Sequence, residues 1–584
     1  MSPINDSPRA DAILKVTGKA KYAAEHRVDN VCYGVFVCST IASGTITNLD
    51  ESLALKSEGV LDVISFKNCP SIPGYASETA DGKRNPRQWW GMKVLYDNIV
   101  RFHGQPIALV VADSFENANA AVNLVKVKYE TTSFETDFTA ARQDGAKLKS
   151  AGIYKRGDIE LLQQASYKVE GEFTIPIEVH NPMEMHASIA VWEGEDKLIV
   201  YDKSQGPKST QGALSRLFGV PEKNVRVIVD FVGGAFGNAL RSWHNLPAAC
   251  IAAKKIKRPV KIVLTRPQMF SMVGYRPASW QKIRIGADST GKFVGIEHAA
   301  ISNTSRYEEF REGIVNVSRF LYACDNVATD YKLLALDLST PTWKRGPGEA
   351  TGCFALESAI DELSYQLKMD PVDLRLVNEP SVNPESKMPW SSRYLRECYL
   401  KGKEIINWSK RPQVPGTLKE NGMLIGYGMS TGVFGASKGA ASVRAILTAD
   451  GKLELQSAVS DMGPGTTTAM IKIAADNLQI PIQYIRFKLG DSDLPPGPTQ
   501  GGSTTTSTLG SAVHLACETL KKNIKQLAMQ YVPELKEVDE NELMYAKGEL
   551  LSSTNAQIKI PVAQLLTLAK QEQLNILVSS TGNS

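Results

Sequence analysis

The first 130 residues contain several short apolar runs typical of strands and one segment with the apolar spacing of a helix. Val31–Val37 alternates loosely as a strand does, and Ile107–Ala112 is an unbroken apolar run of strand length. Ser114 then caps a segment with apolar positions three and four residues apart, and Val125–Tyr129 alternates again. This order predicts a small mixed α/β unit. Residues 131–156 lose the periodicity, which predicts an extended connection between domains.

From about residue 157, strands and helices alternate with Gly-rich loops. The apolar runs typical of strands are Leu198–Tyr201, Val225–Val229, Lys282–Ile285, Phe293–Ile301, Ser442–Leu447, Leu453–Val459 and Ile485–Leu489. One predicted helix begins near Cys353 and stops by Pro371, and another contains Ile471–Leu478. The polar stretch Glu379–Pro389 is typical of a linker. The fold class is therefore α+β, and 584 residues predict at least two domains.

Composition and charge exclude several classes of protein. The hydrophobic share of 43% and the net charge of +4, without a long basic run, argue against nucleic acid as the main partner. No apolar run approaches the ~18 residues of a membrane span. The N-terminus lacks a secretory signal, which gives the cytoplasm as the default location and leaves open periplasmic export carried by a partner subunit.

The residues that commonly bind metals are dispersed. Eight cysteines are scattered without a Cys-x-x-Cys pair, so neither a zinc ribbon nor an iron–sulfur cluster is expected in this chain. His180 and His186 are the closest histidines, but they are six positions apart and would lie on different faces of a helix, which favours packing or hydrogen bonding over a shared metal. We therefore expect no protein-derived metal ligand.

Four Gly-rich segments stand at predicted strand or helix ends. They are Val232–Asn238, Trp343–Glu349, Asp461–Thr468 and Gln500–Thr506. Their plain structural alternatives are, in order, a tight turn, a surface turn with a solvated Arg, N-capping by Thr466 or Thr467, and a flexible loop. None is a dinucleotide or Walker motif, and no hydrolytic triad or acid pair accompanies them. Their amides and hydroxyls together predict a large anionic cofactor held by several loops.

Nine ordered segments resemble the molybdenum-binding subunit of the xanthine dehydrogenase and aldehyde oxidase family. They are Arg9–Ala12, Lys15–Tyr22, Gly104–Ala112, Asn181–Ala187, Ser204–Gly206, Gly234–Gly237, Arg345–Glu349, Gly463–Thr466 and Gly501–Ser503. The similarity is greatest to the bacterial aldehyde oxidoreductase large subunit. The resemblance implies an α/β-hammerhead domain over residues 1–135 and a two-part molybdopterin-binding region over 136–380 and 381–584, the last part incomplete.

The same resemblance implies a set of cofactor-binding positions. They are Gln205, Gly206, Gly234, Ala235, Phe236, Gly237, Arg345, Gly428, Met429, Gly463, Gly465, Thr466, Gly501, Gly502 and Ser503. Family members place the matching Gln and the Phe backbone N–H near the metal's oxo group, the small residue at Gly502 beside the metal, and Arg345 near substrate and cofactor. The pterin's dithiolene holds the molybdenum, and in bacterial members the pterin usually carries a cytosine dinucleotide.

The implied reaction is hydroxylation of aldehydes to carboxylic acids, with water as the oxygen source. Electrons would pass to [2Fe-2S] and FAD on separate partner subunits, since this chain has no cysteine cluster. Leu240 and Pro347 stand where xanthine-type members carry an acidic and an aromatic residue, which favours aldehydes. Aromatic N-heterocycles and purines stay alternative substrates. The absence of Cys between Thr340 and Glu349 sets carbon monoxide dehydrogenation aside.

One further expectation concerns the general base. Family members carry this Glu in a Gly-x-Gly-Glu segment that matches nothing here, so we expect it beyond Ser584 or on a second polypeptide. The chain alone would then be inactive, and the strand Leu574–Val578 would have lost the neighbours that continue its sheet, leaving an unpaired edge. The alternative is a catalytically inactive, truncated paralogue.

Overall fold

The computed structural model describes residues 8–76, 93–555 and 557–582 and divides the chain into two compact units. Unit 1 comprises residues 1–132, 180–273 and 435–584, and unit 2 comprises residues 133–179 and 274–434. The two units interleave along the chain, so they do not coincide with the three consecutive domains predicted from the sequence. The boundaries of those three domains stay a prediction.

A seven-stranded mixed sheet forms the centre of unit 1. In spatial order its strands are Val225–Ile228, Lys197–Asp202, Ala187–Glu193, Val260–Val263, Cys32–Cys38, Pro106–Ala112 and Val60–Ser65. Every residue of Pro106–Ala112 is buried, which explains its unbroken apolar run. The strands predicted near residues 31, 107, 198 and 225 are confirmed.

Three smaller sheets complete the strands of unit 1. The first contains Ile99–Val100, Gly44–Asp50 and Lys126–Thr131; the second Ile485–Lys488, Leu453–Gln456, Ala441–Thr448 and Gln573–Ser580; the third Leu543–Ala546, Glu549–Ser552 and Lys559–Pro561. The predicted hairpin around Asp450-Gly451 is confirmed, with Arg444 opposite Gln456. Gln573–Ser580 pairs with Ala441–Thr448, so the predicted last strand is also present.

Unit 1 also contains ten described helices, several of which pack against these sheets. They are Ala12–Val16, Ser52–Leu55, Pro73–Ala76, Phe115–Val122, Pro207–Phe218, Asn245–Ile256, Gln268–Met272, Thr466–Leu478, Thr505–Tyr531 and Val562–Leu568. The Ser114 hydroxyl accepts the Asn117 N–H at 3.2 Å, as its N-cap prediction requires. The 27-residue helix Thr505–Tyr531 was not predicted, although Leu509, Val513 and Leu520 on it are fully buried.

Unit 2 is built on a five-stranded sheet. Its strands are Leu148–Arg156, Val327–Leu336, Phe293–Ser305, Ser279–Ala287 and Tyr167–Ile175, and Lys419–Glu420 pairs separately with Met423–Leu424. The predicted hairpin across residues 288–291 is confirmed. The extended connection predicted over residues 131–156 is wrong, because it contains the helix Phe138–Ala141 and the strand Leu148–Arg156. That strand lies at the sheet edge and is largely solvated, so it lacks an apolar pattern.

The helices of unit 2 are Phe138–Ala141, Val317–Phe320, Glu349–Leu367, Pro371–Val377 and Leu395–Ile405. The predicted helix near Cys353 begins four residues earlier, at Glu349, directly after the Arg345 segment. Pro371 opens a new helix, with the Asp370 carboxylate accepting the Val372 N–H at 2.8 Å. Across the described ranges, no helix combines the length and apolar character needed to cross a membrane.

Candidate functional site

Gln205 joins three loops in unit 1. It follows the strand Lys197–Asp202 and precedes Gly206, the N-cap of a helix. Gln205 is 1% exposed; its Oε1 accepts the Ala239 N–H at 3.2 Å, and its Nε2 donates to the Gln500 carbonyl at 2.5 Å. The Gln500 N–H donates in return to the Gln205 carbonyl at 2.7 Å. The side-chain amide carries a second N–H that can serve a ligand.

The loop Val232–Asn238 departs from ordinary backbone geometry. Gly234, Phe236 and Gly237 have φ values of +88°, +58° and +115°. Positive φ is uncommon for an aromatic residue, and Phe236 is also 44% exposed. Such geometry persists where the surroundings enforce it, often at ligand-binding positions. A tight turn therefore explains the positive φ of the two glycines. It does not explain why an exposed Phe236 also has a positive φ.

Glu184 fixes the start of that loop. Its N–H donates to the Gly233 carbonyl at 3.1 Å, and its carboxylate accepts the Gly233 N–H at 2.8 Å. The buried Lys203 Nζ donates to the Glu184 carbonyl at 2.5 Å. Burial raises the pKa of Glu184 and lowers that of Lys203 to about 8. Glu184 and Lys203 were not predicted as site residues, although Glu184 lies within a segment that carries the resemblance.

The loop that begins at Asp461 is held by hydrogen bonds within itself and to Gln500. The Asp461 carboxylate accepts the N–H groups of Gly463 at 2.9 Å and Gly465 at 3.2 Å. Gln500 Nε2 donates to the Thr466 hydroxyl at 2.9 Å. Gly465 is the N-cap of the following helix, without a side-chain cap, so capping by Thr466 or Thr467 is not what the structure has. Cofactor binding by these residues stays a prediction, and the Thr466 hydroxyl hydrogen remains able to donate.

The loop at Gly501 lies against Leu240. A Cβ atom on Gly501 would approach Leu240 Cδ2 to 2.7 Å, whereas one on Gly502 would meet only Thr504 Cγ2, at 3.7 Å. Gly502 and Ser503 have φ values of +61° and +56°. Gln500, the first residue of this segment, is hydrogen-bonded to Gln205 and Thr466, so the segment is held at its start and is not the flexible loop of the alternative interpretation. The space at Gly502 is open.

This cluster of loops, formed by residues 204–206, 233–240, 461–466 and 500–503, fits a large oxygen-rich cofactor. Ser460 Oγ and Asp461 Oδ2 are buried without a hydrogen-bond partner among the described residues, which are polar groups that a ligand can satisfy. Gly502 leaves space for a bulky group, and the Gln205 amide has one N–H beyond the one that it donates to Gln500. Gln205, Gly206 and the residues assigned to these four segments are thus brought together within unit 1.

The other predicted positions belong to unit 2. Arg345 is exposed and Pro347 is half-buried, between Gly346 and Gly348 with φ values of +70° and +88°. A Cβ on Gly428 would contact nothing within 4 Å. Met429 packs on a small apolar cluster with Tyr399 and Trp408, which gives it a packing role in addition to the predicted cofactor contact.

Four of the seven histidines and four of the eight cysteines are buried. Burial lowers the pKa of His186 well below its ordinary value, and all eight cysteines are free thiols. Within residues 8–76, 93–555 and 557–582, no group of three or more His, Cys, Asp or Glu residues could hold a metal ion.

Comparisons with known proteins give three consecutive family matches. Residues 17–133 match the aldehyde oxidase and xanthine dehydrogenase a/b hammerhead domain, and residues 143–379 and 401–581 each match a molybdopterin cofactor-binding domain. These matches agree with the predicted order of a hammerhead domain and a two-part molybdopterin-binding region.

Individual relatives support the same assignment. The aldehyde oxidoreductase molybdenum-binding subunit PaoC of Escherichia coli O157:H7 is 33% identical over 558 residues, covering 94% of this chain and 73% of that protein. The putative xanthine dehydrogenase molybdenum-binding subunit XdhA of Escherichia coli K12 is 28% identical, covering 88% and 71%.

Solved structures share the fold. Quinoline 2-oxidoreductase from Pseudomonas putida 86 has a TM-score of 0.83 at 19% identity, covering 98% of this chain and 78% of that one. Aldehyde oxidoreductase from Desulfovibrio gigas has a TM-score of 0.80 at 22% identity, covering 98% and 63%. This chain is a molybdenum-binding subunit of the aldehyde oxidase and xanthine dehydrogenase family.

Proposed function

We propose that this chain oxidises aldehydes to carboxylic acids as the molybdenum-binding subunit of a larger complex. The aldehyde and one water give the acid, two protons and two electrons, and the electrons leave to [2Fe-2S] and FAD groups on partner subunits. Bound molybdopterin, in its cytosine dinucleotide form, supplies the redox-active metal. The similarity to PaoC, an aldehyde oxidoreductase subunit, supports this reaction class.

The residues of unit 1 have distinct roles in this proposal. The Gln205 amide and the backbone N–H groups of the Phe236 loop hold the cofactor by hydrogen bonds, and the Thr466 hydroxyl and Ser503 contact its nucleotide tail. Gly502, whose Cβ position is open, would leave room for the substrate beside the cofactor. Glu184 keeps the Phe236 loop in place through its two bonds to Gly233.

The observation that favours aldehydes over purines is the apolar contact of Leu240 with the Gly501 loop. Leu240 stands where a purine-binding member has an acidic side chain, and its Cδ2 fills the space beside Gly501. Pro347 stands where such a member has an aromatic residue, and it offers no aromatic ring to stack on a heterocycle. An apolar surface accepts varied aldehydes, whereas a purine would leave its polar groups unpaired there.

We expect kcat/KM for benzaldehyde to exceed that for hypoxanthine in the complete complex. Leu240→Glu should lower the benzaldehyde value by roughly tenfold or more, because it places a carboxylate in an apolar contact. Leu240→Met, which keeps the site apolar, is the control. Steady-state dye reduction by the complex purified with its partner subunits measures kcat/KM for both substrates in the unaltered protein and for benzaldehyde in each variant. A higher value for hypoxanthine in the unaltered protein would show that the aldehyde assignment is wrong.

A catalytically inactive paralogue stays the second candidate. In this case the loops would keep their fold, and the complex would reduce no dye with any aldehyde or N-heterocycle. Aldehyde-dependent dye reduction by the purified, molybdenum-loaded complex separates the two candidates, because only the enzyme would turn over.

A further inference from the structure

Arg276 holds the backbone of the Arg345 loop in unit 2. Arg276 is 6% exposed, and its Nη2 donates to the carbonyls of Lys344 at 2.8 Å and Arg345 at 2.7 Å. A guanidinium bound to two successive carbonyls fixes both peptide planes, since its N–H groups diverge at a set angle. The backbone of a surface turn with a solvated Arg would instead bond mainly to water.

Arg276 is itself fixed by Glu178. Their backbones exchange two hydrogen bonds, of 2.9 Å and 3.3 Å, and Arg276 Nη1 lies 3.3 Å from Glu178 Oε2. Lys344 Nζ donates to the same carboxylate oxygen at 2.9 Å. The loop therefore contacts the Arg276–Glu178 pair through both its backbone and the side chain of Lys344.

Glu312 holds the other end of the loop. It is 3% exposed, and its Oε2 accepts the Gly348 N–H at 3.3 Å and the Thr351 hydroxyl at 3.0 Å. A Cβ on Gly348 would lie 2.9 Å from the Gly313 backbone N, so the loop lies directly against the segment that carries Glu312. Burial raises the pKa of the Glu312 carboxyl to about 7.

We propose that Arg276 and Glu312 are positioning residues that fix the loop from both ends and thereby set the direction of the exposed Arg345 side chain. This inference rests on the proposed function and adds a role to it: Arg345, which the family resemblance puts near the substrate, binds the polar oxygen of an aldehyde or of its carboxylate product. A guanidinium on a fixed backbone loses less conformational freedom when it binds that oxygen. Neither Arg276 nor Glu312 contacts the substrate in this arrangement.

Limited trypsin digestion of the isolated full chain tests the anchoring without any catalysis. Arg276→Ala should speed cleavage after Lys344 and Arg345 by roughly tenfold or more, because two carbonyls lose a charged donor. The substitution removes no cleavage site, since Arg276 precedes Pro277. Arg284→Ala, which removes an exposed ion pair with Glu297 on the same unit, is the matched control.

Two more variants keep this test decisive if Arg276→Ala does not fold. Arg276→Lys retains the charge without the paired donors and should give an intermediate rate, and Glu312→Gln retains an acceptor and should stay near wild type. Wild-type cleavage rates in every Arg276 variant that folds would overturn the anchoring.

A double-mutant cycle in the complete complex tests the link to substrate. Arg276→Ala should lower kcat/KM for benzaldehyde roughly tenfold in the wild-type background and change it little when Arg345 is already Ala, because it acts through Arg345. Equal losses in both backgrounds would overturn the positioning role. A wild-type complex without aldehyde turnover would contradict the proposed function, while the trypsin result would still decide the anchoring.

Discussion

Gly502→Val should reduce aldehyde-dependent turnover of the complex by roughly 100-fold or more. A Cβ at this position meets only Thr504 Cγ2, at 3.7 Å, so the added side chain extends into open space instead of into the protein. In our proposal the substrate approaches the metal through that space. Turnover per bound molybdenum is the measurement, because it separates blocked catalysis from lost cofactor.

The φ of +61° at Gly502 adds backbone strain, on the order of 1–2 kcal/mol for a non-glycine residue. Gly451→Val is the matched control: it has a φ of +79°, lies in the Asp450-Gly451 turn of the same unit, and would contact nothing within 4 Å. The control should lose stability and keep its turnover. Equal turnover in both variants would make Gly502 an ordinary loop glycine.

Gly352→Ala should strongly destabilise unit 2. A Cβ there would stand 2.0 Å from the Ile314 carbonyl oxygen and 2.8 Å from Val317 Cγ2. Because the first contact is backbone, the helix Glu349–Leu367 must move away from its neighbour, at a cost of about 3 kcal/mol. Thermal unfolding followed by circular dichroism should show a clearly lower midpoint.

The control for Gly352→Ala is a glycine-to-alanine change that should leave the stability unchanged or raise it. Gly402→Ala lies in the helix Leu395–Ile405 of the same unit, where a Cβ meets nothing within 4 Å. Alanine in a helix is ordinarily better than glycine by roughly 0.5–1 kcal/mol, so this midpoint should stay or rise. A Gly352→Ala protein as stable as the Gly402→Ala protein would contradict the close packing at Ile314.

The regular elements with strong patterns were predictable from the sequence. The buried strand at Pro106–Ala112 and the hairpin across residues 288–291 follow from apolar runs and a turn signal. The helix Thr505–Tyr531 was missed because its start follows a Gly- and Thr-rich run typical of loops. Its stability depends on buried contacts such as Leu509 and Val513, which only the tertiary fold reveals.

The site shows the same division. The Gly-rich segments and Gln205 were found from sequence because glycines and a family motif mark them. Glu184 and Lys203 were not predicted, and neither were the hydrogen bonds that Asp461 and Gln500 make within the segments that were found. No local pattern predicts that a carboxylate or an amide will bond to a particular N–H or carbonyl elsewhere in the chain.

Molybdenum and released nucleotide, measured together on the purified complex, test the central claim most directly. We predict stoichiometric molybdenum per chain and an equal amount of CMP after acid hydrolysis. Gln205→Ala should lower both together, because it breaks the bonds to Ala239 and Gln500 that join the loops. A wild-type complex that contains neither, from cells that load molybdopterin into other enzymes, would contradict the assignment of this chain as a molybdopterin-binding subunit.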